Sequence, residues 1–262
     1  MAIWLLLMWL GLFLAFSSNP DAIVNSKGES ASSIERLYFT GYVLSTLGIG
    51  NFKPITPFFE LLTSLFSFFG FVFFTTSMTY LISVSSAIVH KRSLALTIRT
   101  LGENPAELVR HLFGQDRPFS SQQISDLRQM ICRHTVNHQA YPVLHYYNNP
   151  DIASSLSINL TVLDEAVNIL RYSTMKPLHK ELQPLNNALD QFLQHVKKKY
   201  GAFAEAEDIP KINWLDLDLP DGIVQQEFED HTALVSRRKI LGALLQGEGF
   251  SWHDIYPGHV LR

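Results

Sequence analysis

Cysteine is almost absent. The one thiol, Cys132, cannot close an internal disulfide, so nothing points to an oxidised compartment. Basic clusters are missing too: 21 Lys and Arg stand against 24 Asp and Glu, for a formal charge of −3. With no long Lys/Arg run to follow a phosphate backbone, nucleic acid is not expected as a partner. No glycine-rich G-x-G-x-x-G loop follows a strand pattern, and Gly247-Glu248-Gly249 is too short to replace one, so a dinucleotide-regulated domain is not supported. A regular arginine ladder for voltage sensing is also lacking. Formal charge disappears altogether from Leu61 to Val89.

A mean hydropathy of +0.07 hides a split chain. Residues 1–90 are apolar and aromatic, whereas nearly all the charged residues follow. Two solvents along one chain imply a membrane part followed by an aqueous part. The first apolar run, Ala2 to Phe16, reaches roughly 22 Å as a helix, short of a hydrocarbon core of about 30 Å. It has no basic lead and no small-x-small cleavage site, so a membrane helix over 1–17 is expected rather than a signal peptide. The second run, Leu61 to Val89, reaches roughly 40 Å and is expected to form a membrane helix over 58–90. Its second half is rich in hydroxyls, including Thr75, Thr79 and Ser83, which suits a face on water or on close helix neighbours. His90, Lys91 and Arg92 follow at once and place that end in the cytoplasm by the positive-inside rule.

Residues 17–60 are then an external loop. Asn19-Pro20-Asp21 signals a turn, and Ser32 with Glu35 three residues on reads as a capping box. The apolar stretch behind the box is too short to span. A capped helix over 33–45 that enters the membrane and stops is re-entrant, and irregular backbone at that depth is tolerated only where it lines a water-filled path.

After that helix come Thr46-Leu47-Gly48-Ile49-Gly50-Asn51. They resemble the Thr-x-Gly-Tyr-Gly-Asp filter of the two-transmembrane potassium-channel pore family. Tyr38 and Phe39 stand where that family has paired aromatics bracing the filter. Phe52-Lys53-Pro54-Ile55-Thr56-Pro57 resembles its exit into the inner helix, and Gly70, twenty residues after Gly50, matches its hinge glycine. The resemblance covers roughly residues 1–92. It implies an all-α membrane protein whose filter carbonyls replace the water shell of potassium, with Thr46 adding its hydroxyl at the inner end. Glycine reaches backbone conformations closed to residues with a Cβ, which lets successive carbonyls point inward. The resemblance further implies a homotetramer in the plasma membrane, with the lipid bilayer and potassium as its partners, no cofactor, no metal site and no catalytic residue. Phe74, Met78 and Ile82 share a helical stripe with Gly70 and are expected to line the pore or to pack between subunits; Gly70 is either a hinge or a close-packing glycine. Ile49 replaces the usual Tyr and Asn51 the usual Asp, which leaves open a weakly selective cation channel; the short first helix and the large cytoplasmic part leave open a membrane-anchored regulatory protein with a non-conducting pore.

Residues 93–262 read as a cytoplasmic helical regulatory domain. Helical periodicity covers about 104–113, 121–138, 155–172, 178–199 and 223–246, with Asn104-Pro105 as a start signal and Asp221-Gly222 as a turn. His134 and His138, four apart, share a helix face, but Thr135 stands where a zinc-protease motif needs Glu, and His145 is the only further ligand in view; buried or surface histidines are the expectation. Trp214-Leu215-Asp216-Leu217-Asp218-Leu219 alternates apolar and acidic residues and reads as a solvated strand or loop, with a docking segment as the alternative. No Ser, Cys or Asp sits with the histidines in a nucleophile setting, so a tethered hydrolase is not supported.

Overall fold

The structure, a computed structural model, describes residues 2–113, 121–173, 176–200, 209, 217–220, 223 and 231–257. It divides into two compact units, Met1–Ser83 and Val84–Arg262, rather than after residue 92 as expected from the charge boundary.

The first unit opens with the apolar helix α1 (Ala2–Ser17), followed by a short strand β1 (Ile23–Asn25). Helix α2 (Ser33–Leu44) leads through an irregular stretch to β2 (Phe52–Pro54) and the long helix α3 (Pro57–Arg99). Proline at the first position of α3 costs nothing, because that N–H has no helical acceptor. The two strands pair antiparallel, with Val24 opposite Lys53. The pairing escapes a reading by hydrophobic period because three-residue strands are too short to show alternation. A core of Leu12, Phe16, Ile23, Phe39, Tyr42 and Phe59 joins the elements. Phe16 lies edge-on to Phe39 with ring centres 5.2 Å apart.

Among the described residues, α3 is the one helix long and apolar enough to cross a membrane, and its 43 residues extend about 65 Å. It runs past the expected end at residue 90 because charge does not stop a helix. No Pro or Gly intervenes before Gly102, and Leu94, Ala95 and Ile98 continue an apolar stripe that is fully buried. The hydroxyls of Thr75, Thr79 and Ser83 donate to carbonyls four residues back at 2.9 Å.

The second unit is helical, and its elements fall where periodicity puts them: α4 (Pro105–Phe113), α5 (Ser121–Ala140), α6 (Leu156–Arg171) and α7 (Lys176–Tyr200). The helix expected over 223–246 is described from residue 231 onward, as α8 (His231–Gly247), and α9 (Trp252–Ile255) follows. Residues 224–230, Asp221-Gly222 and Trp214-Leu215-Asp216 lie outside the described residues. Asn104 caps α4 by accepting from the Glu107 N–H at 2.9 Å.

Helix α6 is buried from Leu156 to Leu170 and forms the axis of this unit. A helix enclosed on all sides needs partners for most of the polar side chains it carries. Asp164, fully buried, accepts from Arg237 Nε at 2.7 Å, and Asp190 holds the other end of that guanidinium. Glu165 accepts from Arg238 Nε at 2.7 Å and from the Tyr256 hydroxyl at 2.6 Å. The Asn159 amide donates to three carbonyls before the helix begins to repeat.

His134 and His138 do share a face of α5, and both are buried, with Phe192 packed 5.2 Å from the first and 5.8 Å from the second. His145 and His195 approach His138 with ring centres 5.8 and 5.4 Å away. Among the described residues no three His, Cys, Asp or Glu side chains converge as metal ligands. Burial is the largest cause holding the imidazoles neutral: His138 is pushed down to about 3 and His134 well below the ordinary range, with neighbouring histidines and Lys91 adding to the effect.

Two outcomes follow for stability. An unfolded imidazole takes its proton near pH 6.5, whereas these folded ones resist it, so their contribution is complete above pH 6.5 and is lost as pH falls below it. The loss should reach about 1.4 kcal/mol per pH unit for each buried histidine. Denaturant unfolding of the full chain in detergent, followed by circular dichroism from pH 7.5 to 5, should show this decline, and His134→Gln with His138→Gln should flatten it; a flat profile in the native chain would contradict it. Separately, Asp164→Asn strands a buried guanidinium and should cost about 3–5 kcal/mol, against about 1 kcal/mol or less for Asp190→Asn, whose carboxylate is half in water.

Candidate functional site

Helix α2 is positioned from three directions. At its start the predicted capping box is present: Glu35 accepts from the Ser32 N–H at 2.8 Å, and the Ser32 hydroxyl accepts from the Glu35 N–H at 3.4 Å. On its flank, Trp9 of α1 donates its indole N–H to the Leu37 carbonyl and the Thr40 hydroxyl, both at 3.1 Å. Gly41 faces that ring, and a Cβ there would sit in ordinary van der Waals contact with it. At its C-terminal end α3 closes in: a Cβ on Gly70 would stand 2.0 Å from the Leu44 carbonyl oxygen. Gly70 is thus closely packed against the end of α2, and α3 passes through it as one helix.

The helix ends in a Schellman closure. The Leu47 N–H donates to Tyr42 O at 3.0 Å and the Thr46 N–H to Val43 O at 3.1 Å, with Thr46 in the left-handed region at φ 58°. Glycine usually fills that position at no cost; a β-branched residue there carries about 1–3 kcal/mol of strain, a pattern that gathers at functional sites. Gly48 and Gly50 are left-handed too, at φ 57° and 78°, while Leu47 and Ile49 between them are not. Three left-handed residues at every second position exclude the regular extended backbone of a strand from this stretch. The negative end of the α2 dipole faces the start of this stretch and favours a cation beside it.

Beyond the stretch the chain is fastened again. Tyr42 donates its hydroxyl to the Phe52 carbonyl at 3.3 Å, and the Ile55 N–H donates to Ala22 O at 3.2 Å. Residues 46–51 are therefore a short irregular segment fixed at both ends. All six are exposed in the single chain, Leu47 at 65% and Ile49 at 49%. A groove of about 560 Å³ opens beside Thr46, bordered by Thr63, Ser64, Ser67, Phe68 and Phe71.

The two aromatics singled out in the sequence separate. Phe39 is buried between Phe16 and Tyr42, whereas Tyr38 is half-exposed and rests edge-on against Tyr42 and Phe52, with ring centres 5.4 and 6.2 Å away. Asn51 ends the exposed stretch. Phe74, Met78 and Ile82 lie on α3 and are all exposed, with no neighbour covering them among the described residues. Sequence reasoning missed Tyr42 and Trp9. Each is an aromatic with one polar handle inside an apolar helix, a pattern that asks where the handle bonds.

Residues 2–86 match the model of an ion channel family. Over 259 residues the chain is 30% identical to the uncharacterized membrane protein YdjJ of Bacillus subtilis (strain 168), covering 96% of this chain and 76% of that relative. No solved structure matches. With the channel-family match lying over the helices and loop just described, and the similarity to YdjJ running through both units, the chain belongs to the ion-channel family of two-transmembrane, potassium-channel-type pores, as a relative of that bacterial membrane protein.

Proposed function

We propose that four copies of this chain surround an axis and conduct potassium passively through the backbone of Thr46, Leu47, Gly48, Ile49 and Gly50. The observation that carries the reading is the alternation of left-handed backbone at Thr46, Gly48 and Gly50 directly after a capped half-helix. A dehydrated potassium ion needs a cage of oxygens, and one chain supplies only one wall of it. Exposed Leu47, Ile49, Phe68, Phe71 and Phe74 are consistent with a subunit meant to be covered by its own copies and by lipid. In this arrangement α1 and α3 cross the plasma membrane, α2 is re-entrant, and the second unit is cytoplasmic, next to the Lys91 and Arg92 end of α3. Transport needs no covalent chemistry, so no residue is assigned a catalytic role.

Ile49 and Asn51 depart from the usual filter, and the same measurement separates the possible outcomes. Purified chain in planar bilayers should reverse near the potassium equilibrium potential under a potassium/sodium gradient. Equal permeabilities would make it a weakly selective cation channel, and an assembled tetramer passing no ion under any stimulus would make the pore vestigial. Gly48→Ala places a Cβ at φ 57°, at about 1–2 kcal/mol per subunit, and should abolish selectivity or conduction. Unchanged conductance and selectivity in that variant would remove the filter assignment. Tyr42→Phe deletes the tie to the Phe52 carbonyl and should cost about 1 kcal/mol per subunit, lowering the thermal stability of the assembly while weakening discrimination against sodium.

A further inference from the structure

The second unit encloses a cavity of about 410 Å³ that conduction does not use. Its volume falls in the range of small-molecule sites, and its lining combines apolar side chains with polar and charged ones. Leu156, Leu160, Phe192 and Ile240 form part of the wall. Lys91, His134, Lys197 and Glu248 supply polar groups.

The state of those groups selects the ligand. Glu248 is already engaged, accepting from the hydroxyls of Ser155 and Ser157 at 2.7 and 2.8 Å and from Lys91 at 3.2 Å. Lys91 spends one proton there and one on the Tyr147 carbonyl at 2.8 Å; an ammonium has three. His134 is only 2% exposed, and its Nδ1 has no hydrogen-bond partner among the described residues. An orphaned buried polar atom of this kind costs stability unless something fills the place beside it. Two lysines against one carboxylate leave the lining net positive. The positive surroundings also help to hold His134 neutral, which disfavours a cationic guest and leaves the imidazole free to donate.

We propose that this cavity binds a small monocarboxylic acid with an apolar tail, its carboxylate taken by Lys91 and His134 and its tail by Leu156, Leu160, Phe192 and Ile240. A neutral alcohol would leave the excess positive charge unmatched.

The inference stands apart from the conduction reading because its test reads binding alone. Full-length protein in nanodiscs is titrated calorimetrically with octanoate, octan-1-ol and octylamine, each against empty nanodiscs to subtract partition into lipid. Octanoate should bind saturably, one per chain, and at least about tenfold more tightly than the alcohol, as a charge-assisted hydrogen bond allows; octylamine should not bind. Lys91→Gln should weaken octanoate about tenfold and leave the alcohol unchanged. Ala243→Trp, which fills the cavity from its half-exposed wall, should abolish binding of both. The proposal is overturned if octanoate and octanol bind alike, if octanoate does not saturate, or if either folded variant binds it as the native chain does. Should both variants misfold, the comparison of probes on the native chain decides alone.

Discussion

A backbone that leaves its helix has to find new partners for its N–H and C=O groups, and in an apolar surrounding water is not among them. That constraint governs the first unit. Helix α2 stops at Leu44, and the orphaned carbonyls of Tyr42 and Val43 are taken at once by the N–H groups of Leu47 and Thr46. The closure demands a left-handed residue at 46, and the chain meets the demand with threonine rather than glycine. Strain is accepted there because the fold around it leaves no freedom to relax. Trp9 clamps one flank of α2, and the Leu44 carbonyl lies so near Gly70 that no Cβ fits between.

The second unit faces the same accounting with side chains. A helix rich in leucine and valine would bury itself more cheaply than α6, which carries Asp164, Glu165 and Asn168 into the core. Replacing such ion pairs by apolar residues is often neutral or stabilising, so their presence is weak evidence for stability. What they supply is register. Two adjacent arginines, Arg237 and Arg238, meet two adjacent carboxylates, and a slip of α8 along α6 would leave four buried charges unmatched. Apolar packing alone tolerates such slips.

How much of this was legible in the sequence follows from which forces act locally. The capping box, the filter-like stretch and four helices of the second unit were readable, because caps, glycine spacing and a 3.6-residue period are properties of neighbouring residues. The end of α3 was misplaced because a charge boundary was taken for a structural one; Leu94, Ala95 and Ile98 were apolar in plain sight beyond it. The β1–β2 pair, the Trp9 clamp and the Arg237–Asp164 contact were not readable, since each joins residues far apart in the chain and depends on packing that no local pattern encodes. Gly70 lay between: its two roles were both visible, but the approach of Leu44 was not.

Tyr42 brings these threads together. In the family this chain resembles, a filter tyrosine offers a hydroxyl to the helix behind it. Here Ile49 occupies that place and offers none. The tie runs the other way: Tyr42, on the helix, reaches forward to the carbonyl of Phe52 just past the stretch. A tether placed after the segment fixes where the backbone leaves it without touching the alternating residues between. Such a stretch is restrained at its ends by the Schellman closure and by Tyr42, and within the single chain its interior geometry rests on the backbone preferences of Gly48 and Gly50, with Leu47 and Ile49 exposed. In the proposed tetramer, ion discrimination would therefore be a property of assembly more than of the single subunit, and substitutions at exposed Leu47 and Ile49 would act through contacts between copies, not through stability of the isolated fold.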